Sequence, residues 1–127
     1  MIAVSPRAWR GVLAAVMASA FAFALRPLNE TSPENWFPQS DRLLHLLFFA
    51  LLWWLGRRAR VASATGLVVG FMAFAVGIEV AQALLTSTRS ASLADVVSDA
   101  CGLLAGAWVT GRLEAAASSG QPEEDRG

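Results

Sequence analysis

Four apolar stretches alternate with short polar turns along the chain. They cover residues 11–25, 43–56, 61–85 and 92–109. The first is about 15 residues, short of the roughly 20 a membrane-spanning helix needs. Trp9 and Arg10 extend it if they sit at an interface. Ala14, Ala18 and Ala22 recur at every fourth position of that stretch and predict close packing on a neighbouring helix. Residues 26–40 hold Pro27, Pro33 and Pro38 and read as a loop, with Trp36 and Phe37 able to anchor it at a surface. Asp41 is placed to cap a second helix, which Trp53 and Trp54 close at its far end. The basic turn Arg57-Arg58-Ala59-Arg60 leads into the third and longest stretch, where Gly66 and Gly70 form a small-residue packing pattern. Ser92 then caps a fourth helix, with Asp95 at capping-box distance. Gly102 and Gly106 repeat the small-residue spacing further along it. The spans are predicted at roughly 9–25, 42–56, 61–85 and 92–110 within one membrane domain of residues 1–111. Residues 112–127, small, polar and acidic, are predicted to be a disordered cytoplasmic tail.

Composition sharpens this picture. The 127 residues are 55% hydrophobic and 16% charged, and the mean hydropathy is +0.48. A soluble domain carries roughly a quarter charged residues. The expected class is therefore all-α: a polytopic membrane helical bundle of about four transmembrane helices. The formal net charge is zero, which argues against nucleic acid as a partner. Every basic residue is an arginine. Arg7, Arg10, Arg57, Arg58, Arg60, Arg112 and Arg126 fall at one end of the predicted bundle, and Arg26, Arg42 and Arg89 at the other. The positive-inside rule then puts both termini in the cytoplasm, as a multi-pass protein of a bacterial cytoplasmic (inner) membrane. A basic head followed by an apolar run with Ala-x-Ala patterns also fits a cleaved signal peptide, but the remaining chain is itself membranous, so an uncleaved first span is the expectation. Cys101 is the only cysteine, so no intramolecular disulfide forms, and its apolar surroundings predict a packing role.

Ionisable residues interrupt the apolar pattern at one level. His45 lies about 6 Å along the second helix from Asp41, Glu79 about 9 Å before the end of the third, and Asp99 about 10 Å into the fourth. Asp41 and His45 are four apart, Glu79 and Gln82 three apart, and Ser92, Asp95, Asp99, Gly102 and Gly106 follow one helical stripe. Such groups are costly inside a bilayer and mark sites when they persist there. Turned inward, the three faces make a polar pocket that opens outward. Glu79, Asp95 and His45 are the candidate catalytic residues, an acid serving as general base with help from the histidine. Asp41, Arg42, Gln82, Arg89 and Asp99 are the candidate ligand-binding residues, with Arg42 and Arg89 suited to a phosphate or carboxylate. One histidine and no linear ligand motif predict no metal, and no cofactor is predicted. Each residue also has a structural reading. Asp41 and Ser92 serve as caps, Arg42 and Arg89 neutralise Glu79 or Asp95, His45 packs, and the protein is a non-catalytic membrane scaffold.

At these residues the chain resembles the VanZ-like family of small bacterial membrane proteins. The resemblance rests on Asp41-Arg42-Leu43-Leu44-His45 with Phe48 and Phe49, then Ile78-Glu79-Val80-Ala81-Gln82, Arg89, and Asp95 to Gly102 with Gly106. It spans most of residues 41–106. The family usually has Lys where this chain has Arg42, and often Asn where it has Asp99. The resemblance implies an envelope protein with a family link to resistance against the glycopeptide teicoplanin. Expected partners are membrane lipids, with a cell-wall precursor or another envelope component as the candidate ligand.

Overall fold

A computed structural model describes residues 4–120. Helix α1 spans Pro6–Ala24, α2 Ser40–Ala59, α3 Ala64–Leu85 and α4 Leu93–Ser119. No strand occurs among the described residues. The fold is all-helical. Two of the helices, Ala64–Leu85 and Leu93–Ser119, are long and apolar enough to cross a membrane by length and composition.

Local chemistry sets the helix limits. Ser5 caps α1 by accepting the Ala8 N–H, with Pro6 at the first helical position. Ser63 caps α3 through the Gly66 N–H, so residues 61–63 stay in the turn. Helix α2 begins one residue before Asp41. Gln39 takes the cap position in the left-handed region, at φ 73°, and makes no side-chain capping bond. Asp41 is thus not the N-cap expected of it but a first-turn residue, favoured there by the helix dipole. At the other end Arg60 turns left-handed, at φ 51°, to stop α2. Helix α4 continues past the boundary expected at 111, as far as Ser119. The rest of the expected tail, 121–127, lies outside the described residues.

Helices α2 and α4 form the closest pair. A Cβ at Gly102 would overlap the Leu46 carbonyl oxygen, and one at Gly106 would lie 2.9 Å from the Ala50 oxygen. Only the missing side chains let the two backbones come this close. Trp53 Nε1 donates to Thr110 Oγ1 at 3.0 Å across the same seam. The core beside this seam holds Phe49, whose Cβ abuts Gly102, with Leu52, Leu55, Leu67, Phe71 and Ala75.

Helix α1 attaches at its two ends. Near its start Trp9 meets Trp54 edge to face at 5.3 Å, Leu13 is buried, and Arg10 Nε donates to the Ala59 carbonyl. The alanines expected to pack, Ala14, Ala18 and Ala22, instead face outward, because α1 turns the stripe of Trp9, Leu13, Val16 and Met17 inward. The Gly66–Gly70 pattern is likewise not an interhelical contact. A Cβ at Gly70 would meet nothing within 4 Å, and one at Gly66 only Ala62 and Ser63 beside it. Cys101 is exposed on α4 rather than packed.

The loop after α1 is locked by a charge triad. Arg26 Nη2 donates to Glu34 Oε2 at 2.7 Å, and Arg89 Nη2 to Glu34 Oε1 at 2.5 Å. Ser40 Oγ donates to the Glu34 carbonyl. Glu34 sits in a one-turn 3-10 helix, Pro33–Asn35, so one buried acid joins the end of α1, the start of α2 and the turn before α4. Burial alone would raise its pKa. A backbone N–H bond and the two guanidiniums outweigh that and hold it below the usual glutamate range.

Two outcomes follow. Gly102→Ala should lower the stability of the purified protein by about 1–3 kcal/mol through forced helix separation. Gly70→Ala should leave it unchanged or raise it by up to about 1 kcal/mol. Thermal unfolding midpoints of the two variants read the contrast. Glu34→Gln should cost about 2 kcal/mol, the scale of hydrogen bonds to charged groups. Because the folded pKa of Glu34 is depressed, its contribution is complete above the ordinary glutamate value of about 4.3 and fades as the pH falls through the lower folded value. Wild type and Glu34→Gln should therefore differ in midpoint near neutrality and converge in acid.

Candidate functional site

The polar residues gather at one end of the bundle, where α2 and α4 begin and α1 and α3 finish. The close α2–α4 contact decides the central pairing. His45 precedes Leu46, whose carbonyl lies against Gly102, and Asp99 is one turn before Gly102 on the same stripe. His45 Nδ1 therefore meets Asp99 Oδ1 at 2.8 Å. Asp99 is 1% exposed, and its other oxygen has no partner. An ionised carboxylate only accepts, so Nδ1 donates to it and Nε2 is left facing away from Asp99. Asp41 Oδ1 lies 3.9 Å from Nε2, too far for a hydrogen bond.

The capping box at α4 is only half formed. Ser92 Oγ accepts the Asp95 N–H at 3.2 Å, as expected. The reciprocal bond goes elsewhere: the Ser92 N–H donates to Glu79 Oε2 at 2.6 Å. Glu79 on α3 has displaced Asp95 from the role that its position in the sequence suggested. The Asp95 carboxylate accepts no hydrogen bond among the described residues, though Asp95 is only 8% exposed. Glu79 Oε1 is buried and unpaired.

The other candidates take varied places. Gln82 Nε2 donates to the Ala24 carbonyl at 3.1 Å and so ties the end of α1 to α3. Arg89 is bound to Glu34, not to Glu79 or Asp95, and its Nε is buried without a partner. Arg42 lies exposed on the rim and donates to the Gln39 side chain. Glu34 and Arg26 were not among the residues singled out from the sequence. An acid among prolines carries no signal of partners 8 and 55 residues away.

Two cavities meet here. One, about 640 Å³, runs between α1, α2 and α3 and is walled chiefly by apolar side chains such as Val12, Val16, Phe23, Leu44 and Phe48. The other, about 380 Å³, is polar and includes Arg42, Thr88, Ser92 and Asp95. Asp41, Gln82 and Arg89 belong to both walls. One donor atom each from Asp41, His45 and Asp95 lies within 4.8 Å of the others. No linear motif could announce that set, because its members come from two helices.

Comparison with curated proteins and with solved structures returns no match. A family model described as VanZ/LLP1 matches residues 4–113, which takes in α1, α2, α3, the first 21 residues of α4 and every residue of the polar end. The chain belongs to the VanZ/LLP1 family.

Proposed function

We propose that this VanZ-like protein spans a bacterial inner membrane four times, with both termini cytoplasmic, and binds a phosphate-bearing envelope lipid at its outward-facing polar end. The observation that carries the reading is the shared wall of the two cavities. An apolar groove that opens into a polar chamber at Asp41, Gln82 and Arg89 suits a molecule with an acyl or prenyl tail and a charged headgroup. Arg89 on the shared wall and Arg42 at the rim are the cations within reach of a headgroup there, set among the acids Asp41 and Asp95. Lipid-linked wall precursors have this construction, which agrees with the family link to a glycopeptide antibiotic.

The membrane placement draws on more than the two strongly apolar helices. Leu47, Val69, Leu84, Leu104 and Trp108 all face outward, and apolar surface on this scale is unusual for a water-soluble monomer. At 19 and 20 residues, α1 and α2 extend about 29 and 30 Å, enough for a hydrocarbon core. The scaffold reading accounts for Glu79 and Gln82, which tie helices together. It leaves the unbonded Asp95 carboxylate without a purpose. The His45–Asp99 pair beside the headgroup end supports modification of the bound molecule as a second reading, with His45, Asp95 and Glu79 as its working residues.

In a Cys101→Ser background, cysteines at Gln39 and Ser90 should react with a membrane-impermeant thiol reagent on intact cells, and one at Arg58 should not. The opposite pattern would turn the polar end inward and remove the envelope ligand. For binding itself, native mass spectrometry of the detergent-purified protein should show one anionic phospholipid retained per chain. A zwitterionic lipid with the same tails should be held about tenfold less well, near 1.4 kcal/mol. Ala20→Trp, which fills the apolar groove, should cut retention about as much with an unchanged unfolding midpoint. Equal retention of both lipids, or no effect of the tryptophan, would sink the proposal.

A further inference from the structure

The polar end of the bundle holds an excess of acids that its arginines do not balance. Asp41, Glu79, Asp95 and Asp99 gather around one histidine, while Arg89 is committed to Glu34 and Arg42 to Gln39. Buried carboxylates are normally paired, hydrogen-bonded or bound to metal. Asp95 is more than nine-tenths buried, lines the chamber, and accepts no hydrogen bond among the described residues.

We infer that Asp41, His45 and Asp95 form a three-ligand site for a divalent metal ion of the Zn²⁺ or Mn²⁺ kind, with Asp99 orienting the histidine from behind. The geometry is close to what such an ion needs. Ligand atoms at about 2.0–2.2 Å from a metal stand roughly 3–4 Å apart. The three donor atoms here lie within 4.8 Å of one another, and the His45 Nε2 to Asp41 Oδ1 gap is 3.9 Å. The Asp41–His45 gap is already in that range, and a side-chain shift of about 1 Å at the widest separation closes the site. That gap is too wide for a hydrogen bond yet suits two ligands on one ion.

The support behind the histidine is the second argument. A ligating imidazole typically donates its other N–H to a carboxylate, which fixes the ring and the tautomer. His45 Nδ1 does so to Asp99, and Nε2 is left on the side of Asp41. The third argument is access. Asp41 and Asp95 both line the polar chamber, so an ion between them keeps open positions toward it. One imidazole with two carboxylates suits Zn²⁺ or Mn²⁺. A phosphate oxygen of a lipid headgroup is the natural occupant of an open position, and that last step rests on the lipid reading above.

The test uses the metal alone. Detergent-purified protein, stripped with EDTA and free of added lipid, is titrated with Zn²⁺ and separately with Mn²⁺ by calorimetry. One equivalent per chain is expected. Asp95→Asn, Asp41→Asn and His45→Ala should each weaken binding by about 100-fold or more, roughly 2.7 kcal/mol. Asp99→Ala should weaken it roughly 10–100-fold, and Asp99→Asn, which keeps an acceptor for Nδ1, should recover part of that. Cys101→Ser should change nothing. Mn²⁺ bound to wild type should show hyperfine coupling to one imidazole nitrogen, lost in His45→Ala. If a substitution prevents folding, the remaining ligand variants and the nitrogen coupling still decide. Absence of saturable binding, or binding that survives all three ligand substitutions, would overturn the site. The lipid-retention experiment has its own readout, so either proposal can fail alone.

Discussion

The α2–α4 contact is the constraint on which the rest of the structure depends. Two backbones meet at Gly102 and Gly106 with no room for a methyl group. The contact fixes the relative height and rotation of the two helices. One turn away, that registry places His45 against Asp99. A bulkier residue at either glycine would both loosen the seam and misalign the only imidazole in the chain. The polar end is therefore positioned by an apolar, side-chain-free contact below it, not by its own charges.

Charges at that end divide into two groups. Arg26, Glu34 and Arg89 are bonded to one another, with only the Arg89 Nε left over, and act as a clasp across the loop, α1 and the α3–α4 turn. Asp41, His45, Asp95 and Asp99 form a set with too few donors for their acceptors. Structural ion pairs tend toward completeness, because an unpaired buried charge is expensive. The contrast within one small end of the bundle is what separates the clasp from the candidate site.

The sequence made the helices and the clustering of polar residues legible, because both are local properties. Asp41 and His45 four apart must share a face, and so must Asp95 and Asp99. What it could not show was which partner each group would choose. Ser92 and Asp95 spell a capping box, yet Glu79 on the preceding helix takes the Ser92 N–H and releases Asp95. Ala14, Ala18 and Ala22 spell a packing stripe, yet the larger side chains on the opposite face of α1 fill the core better. Gly66 and Gly70 carry the same motif as Gly102 and Gly106, but the face α3 turns toward α2 is set by Leu67, Phe71 and Ala75. Glu34 was illegible because its role exists only in three dimensions.

The cap that Glu79 supplies to Ser92 also bears on how the chain comes together. The donor and acceptor are 13 residues apart, so α4 takes its first turn from α3 and this hairpin can close early, at a small loop-closure cost. The His45–Asp99 pair spans 54 residues and must wait for α2 and α4 to dock. Until then His45 and Asp99 have only solvent or misplaced neighbours as partners. The order of assembly thus leaves the chemically most demanding part for the end, and a half-docked chain would expose its acids where proteolytic surveillance could find them.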